Sequence, residues 1–70
     1  MYIGIYFMIK EYDVVKAKKD LSDTVLKGCR GAVVMIYREP TLGYEVEFVD
    51  NEGDTLDVLT VYPDDIESSR

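Results

Sequence analysis

Tyr44-Glu45-Val46-Glu47-Phe48-Val49 alternates apolar with acidic side chains, passes into Asp50-Asn51-Glu52-Gly53-Asp54, and is followed by Thr55 to Val61. A period of two places Tyr44, Val46 and Phe48 on one face of a strand and Glu45 and Glu47 on the other. The acidic, Gly-containing segment has the composition of a hairpin turn, with Gly53 suited to the left-handed position of a bulged connection. This hairpin commits the C-terminal half of the chain to antiparallel sheet. With 70 residues there is room for one domain only, since a chain this short buries only about 60% of the surface its unfolded form exposes.

The rest of the chain reads the same way. Tyr12 to Lys18 alternates as a strand with Val15 and Ala17 inward. Lys19 to Arg30 loses the pattern and forms a long loop, in which Leu21 and Leu26 are the apolar pegs available to pin it to the core. Lys27-Gly28-Cys29-Arg30-Gly31 reads as a tight turn with both glycines available for positive φ. Ala32 to Tyr37 is almost continuously apolar and is expected to be a central strand covered on both faces. After a loop at Arg38 to Gly43 and the hairpin, Pro63-Asp64-Asp65 breaks the ladder as a turn of 3₁₀ helix, and Ile66 returns the chain to the core. Five short strands, a long loop after the first and one helical turn before the last lead to an all-β expectation. The architecture expected is a small SH3-like barrel over residues 10–70, closed so that no edges remain free.

Residues 1–9 stand apart. Met1-Tyr2-Ile3-Gly4-Ile5-Tyr6-Phe7-Met8-Ile9 carries no charge, and its β-prone residues predict an extra N-terminal strand. Both of its faces are apolar, so an open position would make it an aggregation hazard. It is therefore expected to pair within the barrel or with a neighbouring chain, and Tyr2, Ile3, Ile5, Tyr6, Phe7 and Ile9 are the candidate self-association residues. The run is far short of the roughly 20 apolar residues that cross a bilayer. It also lacks the basic start and small-residue cleavage site of a secretory signal, so no membrane association and a cytoplasmic location are expected.

Composition removes whole classes of chemistry. The sequence has no His and a single Cys, Cys29, which eliminates imidazole bases, Ser-His and Cys-His pairs, internal disulfides and Cys-clustered zinc. The net charge is −6, which counts against a protein that covers nucleic-acid phosphates with cations. Charge is unevenly placed: residues 1–38 hold seven Lys and Arg against four acids, and residues 39–70 hold one against ten. That asymmetry allows an acidic face that docks a basic partner, or mutual neutralisation at the surface.

No spacing organises a catalytic, cofactor or metal site. Glu45, Glu47 and Asp57 are expected to share the outer face of the hairpin as solvated carboxylates, without the burial that separates the pKa values of an acid-base pair. Asp50, Glu52 and Asp54 crowd one turn, but Gly53 precedes Asp54 and the closing Glu of a calcium loop is missing. Cys29 has Arg30 beside it, a neighbour that lowers a thiol pKa, yet it lacks a base or a resolving Cys. Lys16, Lys18, Lys19, Lys27 and Arg30 form a candidate basic patch without a phosphate-loop signature.

Asp13-Val14-Val15, Asp20-Leu21, Leu26-Lys27-Gly28, Gly31-Ala32-Val33-Val34, Tyr44-Glu45-Val46-Glu47-Phe48, Asp50, Gly53, Thr55 and Leu59-Thr60 together resemble a bacterial family of short stand-alone proteins, family 4926 of the domains of unknown function. The resemblance spans Ile9 to Glu67 and implies an SH3-like barrel. It carries over no activity and no site residues, and members begin near Met8, so the apolar leader has no counterpart. Gly28 to Tyr37 also resembles the Gly-rich opening of KOW-type barrels of ribosomal and transcription proteins. The functional expectation is a non-enzymatic interaction module without cofactor, self-associating through its first strand, most simply as a dimer. The alternatives are an acidic, antitoxin-like binder of a basic protein and a KOW-like nucleic-acid-binding barrel.

Overall fold

The computed structural model describes residues 9–69. Its elements are β1 (Val14–Ala17), β2 (Arg30–Tyr37), β3 (Gly43–Val49), β4 (Thr55–Val61), a 3₁₀ turn (Pro63–Asp65) and β5 (Ile66–Ser68). All five strands belong to one antiparallel sheet in the order β4-β3-β2-β1-β5. Closure into a barrel is not seen in this ladder: β4 and β5 stand at its two ends and are not paired with each other among the described residues. The backbone explains why β4 stays an edge. Two of its donors turn to their own chain, the Val58 N–H to Asp57 Oδ1 at 2.8 Å and the following Tyr62 N–H to Asp65 Oδ2 at 2.9 Å. A β5 of three residues offers little ladder in return.

The core is one cluster drawn from every strand. Val15 and Ala17 of β1, Val33 of β2, Tyr44, Val46 and Phe48 of β3, Val61 of β4 and Ile66 of β5 are all buried. The two-residue period of β3 thus decides which side of the sheet becomes the interior. Buried apolar surface contributes about 25 cal/mol per Å², so these side chains carry most of the stabilisation.

The loop between β1 and β2 corrects one expectation. Val25 is fully buried, Leu21 packs half-buried on the core, and Leu26 is 52% exposed. Ser22 decides this: its Oγ accepts the Val25 N–H at 3.0 Å while the Val25 carbonyl accepts the Leu21 N–H at 2.8 Å. The resulting turn aims Val25 inward and its neighbour outward. The Lys27 N–H donates to Asp20 Oδ1 at 2.9 Å, and the Gly28 N–H donates to the Ala17 carbonyl at 2.8 Å, returning the loop to β1.

Two further corrections lie in and before β2. Gly28 takes positive φ (+92), as expected. Gly31 does not; it sits inside β2, where an added Cβ would lie 2.7 Å from the Glu47 carbonyl oxygen and 2.7 Å from Val46 Cγ1. Its smallness lets β2 and β3 approach. The strand is also not covered on both faces, because the register slips between Val33 and Met35. Beyond that bulge, Val34, Met35 and Tyr37 are exposed. A bulge bends its strand and raises the local twist, and with all five strands in one sheet no second layer covers this outer face among the described residues.

Candidate functional site

The outer face of the sheet and the free edge of β4 are the surfaces that combine exposed apolar area with ordered polar groups. On β3 and β4, Glu45 stands opposite Thr60 and Glu47 opposite Val58. The Thr60 hydroxyl donates to Glu45 Oε1 at 2.8 Å, and the Thr55 hydroxyl donates to the Glu47 carboxylate. These two carboxylates are held flat along the sheet by threonines, leaving Leu56 and Val58 standing free at 37% and 45% exposure. Val14 on β1 and Val34 and Met35 on β2 extend the same exposed apolar character across the face.

Asp57 does not join Glu45 and Glu47. The register slips between Phe48 and Val49, where Val49 faces Thr55 and Phe48 faces Asp57, so Leu56 is the extra residue. One inserted residue reverses the side-chain alternation that follows it. Asp57 therefore lies on the core side of β4, opposite Phe48 and in line with Leu59 and Val61, with its carboxylate folded onto the next N–H of its own edge. Nothing in the alternation of Tyr44 to Val49 announces this. The only available signal was the five-residue turn with Gly53, whose φ of +89 belongs to a bulged hairpin.

The basic patch is brought together in part. Lys16, Lys18 and Lys27 line one shallow cleft with Ala17, Gly28 and Glu67. Lys16 reaches Glu67 at 4.0 Å and Lys19 reaches Asp65 at 3.3 Å. Arg30 lies in a neighbouring cleft bounded by Cys29, Val49, Asp50, Asn51 and Gly53. Lysines and acids thus alternate over this end of the molecule, a pattern that lowers the local potential an anion would meet. The neutralisation is selective, however. It reaches the acids of the 3₁₀ turn and β5, while among the described residues those ion pairs leave out every carboxylate of the β3–β4 hairpin.

Asp50, Glu52 and Asp54 do converge, with ligand-type oxygens within 4.8 Å of one another. Asp50 Oδ1 accepts the N–H groups of Glu52 and Asp54, each at 2.9 Å, and the Asp54 carbonyl accepts the Asp50 N–H at 2.9 Å. The cluster is accounted for as the closure of its turn. Cys29 is half-buried with Sγ 3.5 Å from the Val49 carbonyl oxygen. Desolvation, with the Asp50 charge second, pushes its pKa up, the reverse of the effect expected from Arg30. Burial likewise raises the Tyr44 phenol, with the Arg38 charge acting against it.

Of the candidate self-association residues, Tyr2, Ile3, Ile5, Tyr6 and Phe7 lie outside the described residues, as does the extra N-terminal strand except for its last residue. Ile9 is described and packs half-buried against the core cluster. From there a turn leads into β1: the Asp13 N–H donates to the Lys10 carbonyl at 3.0 Å, and the Lys10 N–H donates to Asp13 Oδ2 at 2.8 Å. Tyr12, with φ of +70, takes the left-handed corner and donates its N–H to the Val33 carbonyl.

Among the described residues no helix is long and apolar enough to cross a membrane. A family model described as "Domain of unknown function (DUF4926)" matches residues 11–68. No curated protein and no solved structure matches the chain.

Proposed function

This chain belongs to the DUF4926 family, and on that footing we propose that it is a non-enzymatic interaction module that self-associates through its apolar leader, forming a dimer. The observation that carries this reading is the pairing of an uncharged leader, apolar on both faces, with an outer sheet face that leaves Val14, Val34, Met35, Leu56 and Val58 uncovered. Exposed apolar residues grouped on one face favour association, because their removal from water is the main driving term. Ile9, the last residue of that uncharged run, packs half-buried on the core. The SH3-like barrel is part of the same reading. A single core fed by all five strands is what such a barrel would enclose.

Light scattering on the full chain and on the Ile5→Lys, Phe7→Lys double variant tests the proposal. A dimer that becomes a monomer in the variant is expected. A full chain that stays monomeric at 100-fold varied concentration overturns it.

A second reading is favoured by the hairpin. Glu45, Glu47, Asp50, Glu52, Asp54 and Asp57 crowd β3, its turn and β4, and residues 39–69 contain no Lys or Arg. Among the described residues the ion pairs of Lys16 and Lys19 go to Glu67 and Asp65 and not to this hairpin. Such a surface suits a basic protein partner, for which complementarity raises the association rate. Its signature is capture of a basic protein that is lost at 0.5 M salt.

A further inference from the structure

We infer that the acceptor of the leader is the free edge of β4 in a second copy of this chain, and that Asp57 is the residue that competes for that edge. The inference rests on the self-association reading and adds its site. β4 pairs with β3 on one side only. The Val58 N–H, bonded to Asp57 Oδ1, points away from β3, and by the alternation of an antiparallel ladder Thr60 presents its N–H and carbonyl on that same outer side. A strand laid there would complete the ladder by β-augmentation.

The chemistry of both partners agrees. β4 carries Leu56 and Val58 toward the outer face and Leu59 and Val61 toward the core. A strand added beside it meets apolar neighbours on both faces, and residues 1–9 are apolar on both faces. A typical amphipathic strand would bury charge on one side.

Length selects a second copy over the chain's own leader. Seven residues of β4 extend about 23 Å at ~3.3 Å per residue, so the eight residues before Ile9 are consumed in covering it. The leader departs at Ile9, close to the turn whose Tyr12 N–H bonds Val33 on the side of β2 away from β3. Along the sheet the β1 side of β2 and the free side of β4 lie four strand spacings apart, about 19 Å, so eight residues crossing that distance within one copy would leave only about two to pair. A neighbouring copy has no such gap to cross, and two copies can exchange leaders symmetrically.

Asp57 gives the edge its guard. Charged groups placed at sheet edges discourage unwanted pairing, and here the carboxylate occupies the donor that an incoming carbonyl needs. Replacing it with a strand-compatible neutral residue, Asp57→Thr, frees that N–H and is expected to tighten self-association about fivefold, the scale of one charge-assisted hydrogen bond less its solvent exchange.

The experiment is isotope-filtered NMR on the full chain, mixing labelled with unlabelled copies, together with the dimer dissociation constants of the wild type and Asp57→Thr. Intermolecular contacts from the leader to Leu56, Val58 and Leu59, with tighter association of the variant, are expected. A leader-dependent dimer whose contacts fall on β5 or on the outer face alone, or whose affinity is unchanged by Asp57→Thr, overturns this inference and leaves self-association standing. Leader contacts to β4 within one copy of a monomer overturn both.

Discussion

Gly31→Ala places the heaviest demand on the geometry described above. The new methyl carbon would sit 2.7 Å from the Glu47 carbonyl oxygen, 2.7 Å from Val46 Cγ1 and 3.0 Å from Phe48 Cδ1. Carbon–oxygen and carbon–carbon contacts settle near 3.4 Å or beyond, so β2 and β3 must separate by about 0.7 Å at a point where both strands supply core residues. Overpacking of this kind costs about 1–3 kcal/mol, set against roughly 0.5 kcal/mol returned by stiffening the unfolded chain. A net loss of about 1.5 kcal/mol lowers the melting temperature of a domain this size by roughly 6–12 °C. Thermal unfolding followed by circular dichroism measures it, with Gly28→Asn as the control. Gly28 has φ of +92, where any side chain brings some backbone strain, but nothing lies within 4 Å of an added Cβ and Asn tolerates that region better than most residues, so the control should shift by less than Gly31→Ala, about 4 °C or under. Equal shifts in the two variants, or a stabilised Gly31→Ala, would refute the close approach of β2 and β3.

Two more outcomes follow from particular contacts. Val25→Ala should cost about 1–2 kcal/mol by urea unfolding, whereas Leu26→Ala should be neutral within about 0.5 kcal/mol; the reverse order would mean that Leu26 is the peg. Cys29 and alkali give a signed test. The folded thiol is raised above its ordinary 9.0, so the unfolded chain loses this proton first and folding stability falls as pH climbs through 9 toward the folded pKa. Cys29→Ser should remove the part of that decline beginning near pH 9, while the raised Tyr44 phenol keeps the part beginning above 10. Urea midpoints from pH 7 to 10.5 would measure both, and identical profiles for the two proteins would refute the assignment.

Much of the fold was legible in residue order because a β-strand advertises itself by alternation. Val15, Ala17, Tyr44, Val46, Phe48 and Ile66 are where the period of two, or a return after Pro63, puts them. The turn at Asp50 to Asp54 and the 3₁₀ turn at Pro63–Asp65 were marked by Gly, Asp and Pro. What failed were inferences that needed the phase of one strand relative to another. The choice of Val25 over Leu26 depended on the Ser22 turn, and the exposure of Val34 and Met35 on a slip in the β2–β3 register.

The sequence alone determined that this chain is an antiparallel β protein with one small core, preceded by a run of nine uncharged residues. Those properties follow from local periodicity and from which side chains water rejects. Only the tertiary structure decided that the hydrogen-bonded sheet stops at β4 and that Leu56 is the surplus residue sending Asp57 to the edge. A bulge is a relation between two strands, and neither strand's own residues encode which side of it a neighbour will fall on.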